Sequence, residues 1–192
     1  MALTRLGLNQ SINLASNVTG ALPVANGGTA LTSGFINGTT ALNEADQWRV
    51  TDDFTPAGYV TANWERNDTN FDKIGTGMSE SSGVFTFPST GIWKLEWDTN
   101  GKYNGSSREI ATRIGMTTND SSYSYVVEGG SFLSRTDSNT TYYSVHSQAI
   151  VDITNVSTHK VKFFHNTEST VTADGSTTEN KVYATFMRLG DT

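Results

Sequence analysis

Three histidines, His146, His159 and His165, and a complete lack of cysteine limit the acid–base and metal chemistry open to this 192-residue chain. A hydroxyl nucleophile needs an activating base, usually a histidine held by a carboxylate. None of the three lies near a G-x-S-x-G elbow, a pattern the chain lacks. His159 and His165 flank Lys160-Val161-Lys162-Phe163-Phe164. That spacing puts both on one face of a strand but about 20 Å apart, too far to share a metal. His146 could meet further copies of itself only on the symmetry axis of an oligomer. Without thiols, disulfides and thiolate chemistry are excluded.

Carboxylates offer little more. Asp52 and Asp53 are neighbours, and neighbours point to opposite faces of a strand. A glycosidase needs two acids converging in a cleft, and no spacing here shows such convergence, so no enzyme is expected. Oxygen donors favour calcium over zinc. Asn67-Asp68-Thr69-Asn70-Phe71-Asp72 and Asp120 could contribute to such a site. No loop has the spacing of a known calcium motif, and solvated turn carboxylates are the plainer reading. No cofactor is expected, with calcium the one the donor set admits.

Sugar binding needs aromatic rings beside hydrogen-bonding side chains. Trp64 in Asn63-Trp64-Glu65-Arg66-Asn67 and Tyr103 in Asn100-Gly101-Lys102-Tyr103-Asn104-Gly105 have that character. Each could equally shield one end of a β-sandwich.

The elements that must position these residues are strands. Hydrophobic residues make up 35% of the chain, with 18 glycines and 3 prolines, and the rest is rich in Ser, Thr and Asn. That mixture favours turns and β-structure over helix. With 4 Trp, 7 Tyr and 9 Phe the chain is too aromatic to be wholly disordered. Its formal charge of −6, without a basic run, argues against nucleic-acid binding. No segment approaches a membrane span. The opening MALTRLGLNQSINLASNV holds no apolar run of signal-peptide length. Together with the missing cysteines this sets the expectation of assembly in a reducing cytoplasm. Asn-x-Ser/Thr triplets such as Asn17-Val18-Thr19 and Asn139-Thr140-Thr141 are then unmodified.

Strands are expected at 47–51, 58–64, 71–74, 83–87, 91–98, 107–116, 122–128, 142–154, 159–166 and 180–189, separated by turn clusters such as Ala173-Asp174-Gly175-Ser176. A short helix is allowed only in Thr40–Val50, where Asn43 or Thr40 could cap it and Glu44 with Asp46 would suit its first turn. About ten short strands without intervening helices imply an all-β antiparallel jelly-roll sandwich. In Tyr142–Thr154, Tyr143, Val145, Ala149, Val151 and Ile153 share one face and read as core. In Val182–Met187 both faces carry burial-prone residues, so this strand is expected to be covered twice.

Gly83–Trp97, GVFTFPSTGIWKLEW, joins two alternating segments through the corner Pro88-Ser89-Thr90-Gly91. It resembles the GxFTxPxxGxYxFxx signature of the complement C-one-q globular head, a relative of the tumour necrosis factor jelly roll. Asn70-Phe71-Asp72 stands where that family often carries a similar tripeptide, and Val182–Leu189 followed by Gly190-Asp191 resembles its closing strand. The resemblance implies a compact homotrimer built by packing one sheet of each protomer around a three-fold axis. It makes Trp93, Tyr183 and Met187, with Trp97 as another, the candidates for that contact. Alternatively Trp93 and Trp97 fill the sandwich interior.

Residues 1–45 contain one aromatic, Phe35, and no sustained period, so they cannot bury a core alone. Thr19-Gly20-Ala21-Leu22-Pro23-Val24-Ala25-Asn26-Gly27-Gly28-Thr29 resembles the G-x-LPVANGGTG phrase of bacteriophage tail-fibre proteins, departing at Ala30 where glycine is usual. A Gly-rich linker is one reading. Leu6, Leu8, Ile12, Leu14, Leu22 and Val24 are more apolar than a solvated linker needs, and favour an extended arm ordered against other virion proteins. The two resemblances imply a virion structural protein: an arm over 1–45, then a trimeric head over 46–192 displayed towards a host-surface glycan or protein. The alternatives are a capsid decoration protein seated at local three-fold sites and a soluble glycan-binding module.

Overall fold

Alternation of buried and half-buried residues dominates the long strands, and it places two sheets face to face. The computed structural model describes residues 42–135 and 137–192. Among them there is no helix, and thirteen strands follow in chain order. These are β1 (Ala45–Val50), β2 (Ala57–Tyr59), β3 (Trp64–Arg66), β4 (Lys73–Ile74), β5 (Ser79–Ser81), β6 (Val84–Thr86) and β7 (Gly91–Tyr103). Then come β8 (Ser107–Thr117), β9 (Ser124–Leu133), β10 (Thr141–Ile153), β11 (Lys160–Thr167), β12 (Thr172–Ala173) and β13 (Val182–Gly190). Sheet 1 runs β10-β7-β13-β1-β3, with β12 on β7 and β4 on β1. Sheet 2 runs β5-β6-β11-β8-β9, with β2 on β11. All the pairings are antiparallel, as an all-β jelly roll requires.

The stretch with the signature corner crosses from one sheet to the other. β6 lies in sheet 2 and β7 in sheet 1, so Phe87–Thr90 carries the chain over the end of the sandwich. Phe87 packs on Trp93 at 5.1 Å and seals that end. Gly91 takes φ +140°, and a Cβ there would stand 2.5 Å from the Gly190 carbonyl oxygen. Only glycine fits such a position without displacing backbone.

The core is an aromatic spine. Phe85 and Phe163 from sheet 2 meet Trp97 and Phe186 from sheet 1, with Phe85–Phe163 at 5.4 Å and Trp97–Phe163 at 5.1 Å. A second cluster of Ile110, Leu133, Tyr143, Val145 and Val171 closes the opposite end. The face of β10 expected to be core is the face found inside, in register with β7 from Thr141↔Tyr103 to Ile153↔Gly91.

Three expectations change. Ala45–Val50 is a strand, not a helix, because pairing with β13 and β3 overrides a weak local preference. Glu44 and Asp46 serve no helix N-terminus: the Glu44 carboxylate accepts the Thr76 and Gly77 amides at 3.0 Å, and Asp46 accepts the Met78 amide at 2.7 Å. The expected strand 58–64 is two strands, interrupted where Asn63 adopts φ +62°. The polar β5 and two-residue β12 lack any apolar alternation, so the count rises from about ten to thirteen.

The arm expected over 1–45 lies outside the described residues up to position 41. Its last two residues belong to the sandwich, since Ala45 pairs with Met187 and the Glu44 carbonyl accepts the Arg188 amide at 3.0 Å.

Candidate functional site

The outward face of sheet 1 is built by residues that alternate with the core. Registers bring His146, Asp98, Tyr183, Arg49 and Glu65 into one row across five strands. His146 Nδ1 lies 2.9 Å from Asp98 Oδ1. Burial, then the charges of Asp98 and Glu96, push the Tyr183 phenol above its ordinary pKa, so it stays a neutral donor. Arg49 is 1% exposed although it sits on the outward side. It donates to Glu65 at 2.9 Å, to Asn67 at 3.2 Å and to Thr69 at 3.4 Å, so the segment after β3 folds over it. A buried guanidinium needs such partners.

The next row is Gln148, Glu96, Thr185 and Gln47. Gln47 donates to Thr185 at 2.9 Å and accepts from Asn67 at 2.8 Å. The third row is Ile150, Lys94, Met187 and Ala45, where Lys94 pairs with Glu96 at 2.6 Å. Ile150 is 62% exposed. This surface is a fixed polar lattice with apolar points at Ile150 and Met187.

The four residues proposed for association divide two and two. Tyr183 and Met187 lie half-buried on the outward face. Trp93 and Trp97 do not: they are 1% and 0% exposed and fill the sandwich interior. Trp97 donates its indole N–H to the Phe164 carbonyl at 3.1 Å, and no part of either ring is left for a neighbour. Sequence missed the Arg49–Glu65 pair, for which Gln47-Trp48-Arg49 offered no signal beyond alternation.

Neither sugar-loop aromatic is free. Trp64 turns inward onto Phe85 at 4.9 Å and donates to the Val60 carbonyl at 3.0 Å. Tyr103 is half-buried against the second core cluster and lies over Gly105. Trp64 thus joins the core, and Tyr103 shields the end closed by the second cluster.

Two of the calcium candidates are engaged elsewhere, while Asp68, Asn70 and Asp72 are exposed. Asn67 is buried between Arg49 and Gln47, and Asp120 pairs with Lys160 at 2.5 Å. Among the described residues no three His, Asp or Glu side chains converge on a metal position. His165 is fully buried, between the Ala111 carbonyl at 3.1 Å and the Tyr143 hydroxyl at 2.8 Å. His159 lies between Thr154 and Thr158.

Solved structures share this arrangement of strands. The Eiger TNF of S. frugiperda superposes with a TM-score of 0.55 at 10% identity, over 77% of this chain and 93% of that one. Murine APRIL at pH 5.0 gives 0.52 at 10% identity, over 76% of this chain and 98% of that one. The fold is a tumour-necrosis-factor-like jelly roll. At these identities the likeness speaks for the fold alone, and the resemblance carried by Gly83–Trp97 holds at that level. No protein-family model matches the chain, and no curated relative does.

Proposed function

We propose that this chain is a structural protein of a bacteriophage virion, with a non-enzymatic jelly-roll head that forms a homotrimer and faces the host surface. The observation that carries this reading is a tumour-necrosis-factor-like jelly roll preceded in the same chain by the tail-fibre-like phrase Thr19–Thr29. The resemblance to the complement C-one-q and tumour necrosis factor heads implies that one sheet face is shared between protomers. Sheet 1 suits that role, because Tyr183, Met187 and Ile150 punctuate an ordered polar lattice there. The arm, the part of residues 1–45 that precedes the sandwich, would join the head to other virion proteins, with assembly in the host cytoplasm.

Light scattering on the full chain tests the assembly: a trimer mass is expected, and a monomer at micromolar concentration defeats the reading. Imaging of virions tests the address. Density at the tail is expected, whereas density confined to capsid three-fold sites replaces attachment by decoration.

A further inference from the structure

The outward face of sheet 2 carries a groove of about 530 Å³ assembled from segments far apart in sequence. Ser79, Thr86 and Lys160 form one row through the β5–β6 and β6–β11 registers. Ser81 and Ser121 add further hydroxyls. Asp120 lines it as an acceptor, held in place by Lys160 at 2.5 Å. Val84 is the one aliphatic side chain on the lining.

Tyr123 is the one aromatic ring on the groove's lining. Lys162 Nζ stands 4.4 Å from the Tyr123 ring centre and 5.6 Å from that of Tyr59. Tyr59 reaches across β11 to lie over Gly115, where a Cβ would come within 2.5 Å of its hydroxyl. Phe164 and Tyr125 buttress it at 5.5 and 6.3 Å. Burial pushes both phenols above their ordinary range, Tyr59 to about 12, so both remain O–H donors. A ring face attracts the Lys162 ammonium without accepting its N–H bonds in the way a carboxylate would.

We infer that this groove binds an acidic oligosaccharide, with sugar hydroxyls on Ser79, Ser81 and Asp120, a sugar ring against Tyr123, and the sugar carboxylate on Lys162. Interleaved short donors and acceptors match a hydroxyl-dense ligand, and a single aliphatic contact gives little purchase to peptide side chains. The inference rests on the reading of the head as a host-surface attachment module and names what that module recognises.

The test is calorimetry and array binding on the full chain. The probes are uronic-acid and sialic-acid oligosaccharides, their carboxyl-reduced counterparts, and a Glu-rich peptide. Binding to at least one acidic saccharide is expected, weakened at least tenfold by carboxyl reduction, by Lys162→Gln and by Tyr123→Ala, and unchanged by Arg108→Gln on the same sheet. Thermal melts of each variant confirm that the fold is retained, and Lys162→Gln, a surface change, carries the test if Tyr123→Ala melts early. Equal binding of reduced and acidic forms overturns the carboxylate assignment, and equal or tighter peptide binding overturns the saccharide class. Silence across the panel overturns the site while a trimer on the virion would leave the proposed function standing. Saccharide binding by a monomer would do the reverse.

Discussion

The Asp46 carboxylate and the Arg66 guanidinium meet edge to edge, Nε to Oδ1 at 3.0 Å and Nη2 to Oδ2 at 3.1 Å. Asp46 is 1% exposed and also accepts the Trp48 indole N–H at 2.9 Å and the Met78 amide. Arg66 donates onward to the Met78 carbonyl at 2.6 Å and covers the Trp48 ring. The pair ties β1 to the segment that leads into β5. Removing the acid strands a guanidinium and a buried amide together, and such losses cost about 3 kcal/mol. Asp46→Ala is therefore expected to lower the urea unfolding free energy by about that amount, and Asp46→Asn by less. A change under about 0.5 kcal/mol in the alanine variant would show that the pair contributes nothing net.

At the sheet-crossing corner, Gly91→Ala forces a Cβ onto the Gly190 carbonyl and into the Arg188 side chain at a φ of +140°. The expected cost is about 2 kcal/mol, with the end of β13 loosening first. Hydrogen exchange would see this as faster exchange at Leu189 and Gly190 than in the rest of β13. Unaltered stability would mean that the corner relaxes freely.

Much of this fold is legible in the sequence because period-2 alternation reports a half-buried strand directly. Tyr143, Val145, Ala149, Val151 and Ile153 show it, as does Phe85 beside Trp93, Leu95 and Trp97. What alternation does not report is which polar neighbourhood ends up inside. Trp64 stands among Asn63, Glu65 and Arg66 yet packs in the core, since its strand's inward side is set by pairing with β1. Glu44 and Asp46 satisfy backbone amides more than thirty residues away, a demand that no local window contains. The groove on sheet 2 is equally non-local: Ser79 and Lys160 come together only through β6.

His165 makes stability depend on pH. A carbonyl only accepts, so Nδ1 carries the proton towards Ala111 and Nε2 accepts from Tyr143. Burial, opposed by the Ala111 carbonyl, pulls the imidazole pKa down to about 4. The unfolded chain binds a proton near pH 6.5 and the folded one only near 4, so stability falls as pH drops through that window and levels off below it. The loss amounts to about 3 kcal/mol. Urea titrations at pH 7 and pH 4.5 should show a smaller pH difference in His165→Gln than in the native protein. Equal differences in both would remove His165 as the cause.

The proposed association face separates from the core by substitution. Tyr183→Asp and Met187→Asp place a charge on the outward side of β13, where the folded protomer tolerates it because that side is half-open. In a trimer the same charge is buried without a partner, at a cost of about 3 kcal/mol per contact, or roughly a hundredfold in association. Both variants should therefore sediment as monomers at concentrations where the native chain is trimeric, with protomer far-ultraviolet dichroism unchanged. Trp97→Ala should act in the other order. It empties a site between Trp64, at 5.6 Å, and Phe163, so unfolding should become easier by about 3–5 kcal/mol before any change in assembly. Native-like sedimentation of both aspartate variants would mean that protomers meet through another surface, and the outward face of sheet 1 would then be free for a different partner.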